Sequence, residues 1–194
     1  MPINTTLSDA QWDTFVRQHP RANFLQLSAW AKLKCAYGWS TDRVALVADD
    51  QVVAGAKMLF RPLPLRLRTL AYLPYGGYVR DAHQWPDLWD AIHTCAKQND
   101  AALLKWEPGH YMGESRPDFT QWGFRESLQQ VQPPNTVLLD LTQSDDDLMA
   151  AMNQSTRRNI RKAYKNDIHY YEATLDDFEK FARIIAVTGD RNEF

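Results

Sequence analysis

The sequence predicts an α/β protein: a mixed sheet flanked by helices in a first, complete domain, followed by the start of a second domain of the same kind. Three observations point there. The hydrophobic period switches from the helical 3.6 to the strand-like 2 and back along residues 8–106. A hairpin connection at Asp49-Asp50-Gln51 is followed by a helical stretch and then another apolar strand, so antiparallel and crossover connections both occur. Pro133-Pro134 then interrupts a polar stretch, and the pattern after it holds only two strand-like runs. These set the expected boundaries: residues 1–132 for the first domain and 133–194 for the incomplete second.

Ser8 caps the first helix, with Gln11 three positions on and Trp12, Phe15 and Val16 as its apolar face. His19-Pro20 ends it. A second helix covers about Ser28 to Ala36, with Trp30 and Leu33 expected to face inward and Gly38 as the stop. Residues 43–48 and 52–61 alternate as strands. In the second, Val52, Ala54, Ala56, Met58 and Phe60 share one face and Gly55 and Lys57 the other. Pro62-Leu63-Pro64 breaks it. Thr69–Tyr72 is a short strand running into Leu73-Pro74-Tyr75-Gly76-Gly77-Tyr78. Residues 85–99 form a helix with Leu88, Ile92, Cys95 and Ala96 inside. Residues 102–106 form a buried strand ending at Glu107-Pro108-Gly109, and 110–120 a loop. Beyond the prolines, 136–141 and 168–172 read as strands, and 144–152, 153–165 and 175–187 as helices, the last beginning at Thr174. Two strands make a poor core alone. The second part therefore reads as a fragment, or as something a partner or oligomer completes if the chain ends at Phe194.

Composition excludes several classes. The chain has 194 residues, 44% hydrophobic and 24% charged, which is ordinary globular usage. Its net charge of −2, from 22 basic and 24 acidic residues, is unlike a dedicated nucleic-acid module. Cys35 and Cys95 have no disulfide or zinc spacing, so a reducing cytoplasm is expected. No leader pattern follows Met1, and no apolar run reaches the ~18 residues of a membrane span. The histidines (His19, His83, His93, His110, His169) show no ligand spacing, so no metal is expected.

Against that balance, residues 153–165 form a concentrated cationic helix. At ~100° per residue, Arg157, Arg158, Arg161, Lys162 and Lys165 fall within an arc of roughly 140°, opposite Ile160, Ala163 and Tyr164. Ser155 or Thr156 is the expected cap, and Asn166-Asp167 the expected end. Two readings stand: a solvated helix face, and a surface for the phosphates of a nucleotide diphosphate, a lipid pyrophosphate or RNA.

Four stretches together resemble the FemABX family of peptidoglycan-bridge aminoacyltransferases. They are residues 23–30 (NFLQLSAW) with Lys34, then Leu73-Pro74-Tyr75-Gly76-Gly77, then Lys105-Trp106-Glu107-Pro108, and, most specific, residues 156–163 (TRRNIRKA). The resemblance implies two acetyltransferase-like (GNAT-like) domains, of which this chain would carry the first and part of the second. It implies transfer of an amino acid from aminoacyl-tRNA to an amine on the stem peptide of a nucleotide- or lipid-linked peptidoglycan precursor, in the cytoplasm, with peripheral contact at the membrane face. It implies neither metal nor coenzyme A. Aminolysis of an ester needs positioning, a proton acceptor and oxyanion stabilisation rather than a nucleophilic triad, and the sequence offers no triad.

The resemblance makes Lys34 a phosphate contact; the bland alternative is a surface lysine. Trp30 is either core or a stacking surface. Glu107 stands where the family places an acid before proline, usually Asp. It would accept or orient the attacking amine's proton, or serve as a capping carboxylate. Tyr72, Tyr75, Gly76, Gly77 and Tyr78 make a pocket wall or a bulged edge strand. Arg158, Arg161 and Lys162 are the phosphate candidates of the basic helix. The rival enzyme class, acetyl-CoA-dependent N-acyltransfer, needs a glycine-rich pyrophosphate turn. The nearest stretch, residues 51–56 (QVVAGA), is one residue too long and lies in a strand. A non-enzymatic basic module and an inactive remnant are the remaining alternatives.

Overall fold

The first helix, α1 (Asp9–Gln18), begins at the capping box expected from the sequence: the Ser8 side chain accepts from the Gln11 backbone, and Gln11 answers to the Ser8 backbone. The computed structural model describes residues 7–110, 114, 116–133, 135–166 and 169–192. They fall into two compact units, 1–135 and 136–194, each taken here by itself.

In the first unit, α1 and α2 (Ser28–Ala36) precede a mixed sheet of β1 (Ser40–Ala48), β2 (Gln51–Pro62), β3 (Thr69–Pro74), β4 (Tyr78–Val79) and β5 (Ala101–Glu107). Helix α3 (Trp85–Gln98) links β4 to β5. The order is β1-β2-β3-β5, with β4 also paired to β2. The β1/β2, β2/β3 and β2/β4 pairs are antiparallel and β3/β5 is parallel. This is the mixed, helix-flanked sheet expected. The β1–β2 turn uses Asp49 and Asp50 at φ 49° and 59°, the positive values that a two-residue hairpin of right-handed twist requires.

Helix α3 covers one sheet face. Leu88, Ala91, Ile92 and Cys95 pack there on Val44, Leu46, Ala54, Ala56, Met58 and Phe60. Helix α1 covers the other, where Trp12, Phe15 and Val16 meet Tyr78. Val52 joins this second cluster rather than the first. The register runs Leu46↔Ala54 and then Val47↔Val52, so Val53 is an extra residue whose bulge flips the alternation.

Strand β2 pairs with β1 along one edge; along the other it meets β3 only at residues 59–62 and β4 only at 54–55, which leaves its middle without a strand neighbour on that edge. The fully buried Gln26 side chain fills that gap. Its amide donates to the carbonyls of Lys57 (3.0 Å) and Pro74 (2.7 Å), and its oxygen accepts from Lys57 N (2.9 Å). Three backbone groups that would otherwise be buried unpaired are thereby satisfied.

Several local expectations change. In α2 the buried residues are Ser28 and Ala31, not Trp30 and Leu33; Leu33 is 47% exposed. Small side chains let that face of the helix sit close to the sheet. Strand β5 is the sheet's edge, and Leu103 on it is 52% exposed, so the strand is not buried. Part of the loop expected at 110–120 lies outside the described residues; Phe119–Trp122 is a 3₁₀ turn.

The second unit holds α4 (Asp145–Ala151), α5 (Gln154–Lys165) and α6 (Phe178–Asn192). Residues 136–141 are not a strand, and Val137, Leu138, Leu139 and Leu141 are exposed. Ile168 lies outside the described residues, and 169–172 form no strand. The apolar pattern alone does not make a strand: no strand among the described residues of this unit offers backbone partners.

Candidate functional site

The parallel pair β3/β5 aligns Tyr72 with Lys105 and Pro74 with Glu107. Alternation puts Tyr72, Lys105 and Glu107 on one face, while Trp106 turns into the core on the other. Residues 127–133 strap across that face. The Glu107 carboxylate accepts from the backbone N–H of Val131 (2.7 Å) and of Gln132 (3.4 Å), and from the Tyr72 hydroxyl. Gln132 Nε2 donates to the Tyr72 oxygen at 3.0 Å. Lys105 Nζ donates to Ser127 Oγ (3.2 Å) and to the Gln129 carbonyl. The Tyr75 hydroxyl donates to the Pro133 carbonyl at 3.4 Å. Burial, and then the hydrogen bond to Glu107, push the Tyr72 hydroxyl far above the ordinary tyrosine range, so it remains a donor. Oε1 takes the two backbone N–H groups and Oε2 the Tyr72 hydroxyl, so the described donors leave a lone pair of Oε2 to receive a proton.

Beside Tyr72 lies a cation–aromatic cluster. Lys34 Nζ sits 5.1 Å from the centre of the Trp39 ring and 5.4 Å from that of Trp30. The Arg61 guanidinium is 5.5 Å from the same Trp39 ring, whose centre is 6.4 Å from that of Tyr72. Two cations thus share one indole, and neither forms a salt bridge with any described residue. The Trp30 Nε1–H is buried without a hydrogen-bond partner among the described residues, a deficit of about 1–3 kcal/mol unless something else accepts it. Lys34, Trp30 and Tyr72 were legible as candidates. Trp39 and Arg61 were not, although Arg61 shares the Lys57 parity along β2 and so the same sheet face.

Gly76 and Gly77 make their close approaches to the protein itself. A Cβ on Gly76 would lie 2.5 Å from Leu73 Cδ1 and 2.6 Å from Gln26 Nε2. One on Gly77, at φ 84°, would lie 2.4 Å from Trp106 Cζ2. Trp106 Nε1 donates to the Gly76 carbonyl at 3.0 Å. Buried Arg21 donates to the carbonyls of Gly77 (3.0 Å) and Pro108 (2.9 Å), riveting the glycine turn to the segment after Glu107. Tyr75, at φ 46°, holds a left-handed conformation uncommon for a bulky residue, and its N–H donates to the Glu107 carbonyl at 2.6 Å. The stretch therefore shapes the wall from behind, and Tyr72 and Tyr75 supply its polar atoms.

In the second unit, Asn153 rather than Ser155 or Thr156 caps α5, its side chain accepting from Thr156 N at 2.8 Å. Arg157 is turned to structural use, donating to the carbonyls of Ala150 and Met152 at the end of α4. Arg158, Arg161 and Lys162 are exposed and form no ion pair with any described residue. Tyr164 is exposed, while Ile160 and Ala163 are half-buried. Among the described residues no group of three His, Cys, Asp or Glu could hold a metal ion, and no helix is long and apolar enough to cross a membrane.

An α/β unit with a mixed sheet, flanking helices and a polar–aromatic surface at the C-terminal ends of its parallel strands is thus in place. The chain belongs to the FemAB family, whose profile matches residues 7–121 and 118–194. It is 28% identical to the lipid II:glycine glycyltransferase of Staphylococcus saprophyticus over 201 residues, covering 97% of this chain and 48% of that one. The Staphylococcus aureus protein of the same name is 27% identical, with the same coverages. The crystal structure of FemX superposes with a TM-score of 0.88 at 26% identity, covering 100% of this chain and 51% of that one. The chain spans about half the length of these relatives.

Proposed function

We propose that the chain carries the precursor-recognising part of an aminoacyltransferase that extends the stem peptide of a peptidoglycan precursor. The observation that carries this reading is the family match along nearly the whole chain, to relatives named for glycyl transfer to lipid II. The donor we propose is aminoacyl-tRNA, whose ester is already activated. The acceptor is a nucleotide- or lipid-linked precursor, which places the work in the cytoplasm or at the inner membrane face. Residues 133–194 are proposed as the start of a second GNAT-like domain.

In this reading Lys34 and Arg61 contact the precursor's phosphates, with Trp30 and Trp39 as the apolar floor. Tyr72 and Tyr75 line the wall that Gly76 and Gly77 shape. Glu107 orients the attacking amine, directly as proton acceptor or through the Tyr72 hydroxyl that it holds. Arg158, Arg161 and Lys162 bind phosphates of the donor or the acceptor. Residues 51–56, the stretch nearest to a coenzyme A pyrophosphate turn, lie inside strand β2 rather than at a helix N-terminus.

Calorimetric titration of the chain with UDP-MurNAc-pentapeptide and, separately, with acetyl-CoA tests the class. Binding of the precursor alone is expected. Binding of acetyl-CoA alone would replace this reading with the rival acyltransferase, and binding of neither would favour an inactive remnant.

A further inference from the structure

Residues 61–68, the end of β2 and its turn towards β3, read RPLPLRLR: arginines, leucines and prolines without an acid. At the tip of the turn Leu65 is 90% exposed, and Leu67 after it is 62% exposed. Leu65 also holds φ 59°, a left-handed conformation that is costly for leucine. A tip that only had to face water would place glycine or asparagine there.

The turn is braced. Leu63 N–H donates to the Arg68 carbonyl at 3.0 Å, and Leu67 N–H to the Pro64 carbonyl at 3.3 Å. Arg68 ties its base to β5, donating to the Asp100 carboxylate (2.8 Å) and to the Ala101 carbonyl (3.0 Å). That ion pair neutralises Asp100, so the turn as a whole keeps a net positive charge.

The apolar surface runs on from the turn to the sheet. The register sets Arg61 beside Leu70 and Leu70 beside Leu103, one row across β2, β3 and β5 on the face that carries Tyr72. Leu103 is exposed and Leu70 half-buried. At the other end of the row, Arg61 and Lys34 share the Trp39 ring without an ion pair to any described residue. Scattered exposed leucines are ordinary; a braced apolar tip beside uncompensated cations is not.

We propose that this edge of the first unit docks on the anionic surface of a phospholipid bilayer. Leu65 and Leu67 enter the boundary between headgroups and acyl chains, and the positive charge of the stretch is drawn to the headgroup phosphates. Two leucines alone hold a bilayer weakly, so insertion and charge act together and the contact is reversible. One consequence rests on the reading of Lys34 and Arg61 as phosphate contacts. Arg61 is four residues from Leu65, at most ~14 Å along the chain. With Leu65 immersed by about 5–10 Å, Arg61 stays within reach of the headgroup level. The pyrophosphate of a lipid-linked precursor sits there, so the docked chain takes the lipid-linked acceptor.

The test is co-sedimentation with vesicles of phosphatidylcholine alone and of an equal mixture with phosphatidylglycerol. Leu65→Asn with Leu67→Ser removes the apolar tip without adding charge, and asparagine suits the left-handed position. The unsubstituted chain should bind the mixed vesicles, less so at high salt, and bind phosphatidylcholine more weakly. The double variant should bind the mixed vesicles about tenfold or more weakly, with an unchanged melting curve. The same dependence on the leucines is expected when both chains carry Gln at Arg158, Arg161 and Lys162, which removes the charge of α5. No binding by the unsubstituted chain, or equal binding by the double variant, would overturn the proposal. Equal binding to the two kinds of vesicle would overturn the part given to charge. Self-association without vesicles that the double variant abolishes would give the edge to a second copy of the chain instead. The vesicles hold no precursor, so failure here leaves the precursor titration standing, and failure there leaves the docking standing.

Discussion

Helices α3 and α6 have the same kind of amphipathic sequence and opposite fates. In α3, Leu88 and Ile92 are wholly buried against the sheet. In α6, Phe178, Phe181 and Ile184 are 65%, 60% and 63% exposed. The difference lies in the partner. The first unit supplies a five-stranded sheet whose two faces take α3 on one side and α1 with α2 on the other. The described residues of the second unit contain no strand. An amphipathic stripe reports that a helix needs a partner, and the surrounding chain decides whether it has one.

The sharpest way to break that comparison is a matched pair of truncations. Ile92→Ala should lower the unfolding free energy by about 2–5 kcal/mol in denaturant titration, because it empties a closed core. Ile184→Ala should change it by less than about 0.5 kcal/mol. Equal costs would mean that α6 is packed as firmly as α3. Next in size is Gly76→Ala, whose Cβ meets Leu73 and Gln26. Overpacking there should cost about 1–3 kcal/mol and should weaken precursor binding by shifting the wall that carries Tyr75.

A smaller effect separates the units by pH. In the first unit, His19 Nδ1 accepts from Arg21 N at 3.1 Å, which leaves its Nε2–H for the Val79 carbonyl at 3.3 Å. Burial, chiefly, lowers His19 and His110 below the usual histidine range, with Arg21 adding to both shifts and Glu114 opposing them. The unfolded chain therefore binds protons more readily. This contribution to stability is complete above about 6.5 and is lost as pH falls through the lowered folded values. Thermal melts from pH 8 downward should show the first unit weakening below about 6.5. His110→Phe, which keeps a ring beside Trp85 and Phe119, should flatten that dependence; an unchanged profile would remove His110 from the account. The smallest expected change in stability belongs to the exposed face of α5. Replacing Arg158, Arg161 and Lys162 with Gln should leave melting within about 0.5 kcal/mol of the original. It should reduce affinity for tRNA or the precursor, with a shallower salt dependence in whatever binding remains. Easier unfolding with unchanged affinities would make the face structural.

What the sequence disclosed and what it hid divide along a physical line. Ser8 with Gln11, the aspartates of the β1–β2 turn and the stripe of α3 are local signals, and each element formed where they stood. Lys34, Tyr72 and Glu107 were recognisable because they sit in motifs. Arg21, Trp39 and Arg61 were silent, and Gln26 stood in a motif that did not disclose its role, because their partners lie on other elements and become neighbours only through strand register and helix docking. The Val53 bulge shows how small that hidden information can be: one extra residue moves Val52 to the other face. Residues 136–141 show the reverse error, a strand-like pattern without a strand to pair with.

The central claim, that the first unit recognises the precursor through two cations on one indole, is tested most directly by titrating UDP-MurNAc-pentapeptide into the chain and into Lys34→Ala, Arg61→Gln and the double variant. Each single change should weaken binding by roughly ten- to a hundredfold, from the loss of about 1.5–3 kcal/mol for a charge-assisted contact, with melting temperatures unchanged. The double variant should lose less than the sum, since both cations serve the same phosphates. Unaltered affinity in all three variants, with intact melting curves, would contradict the claim.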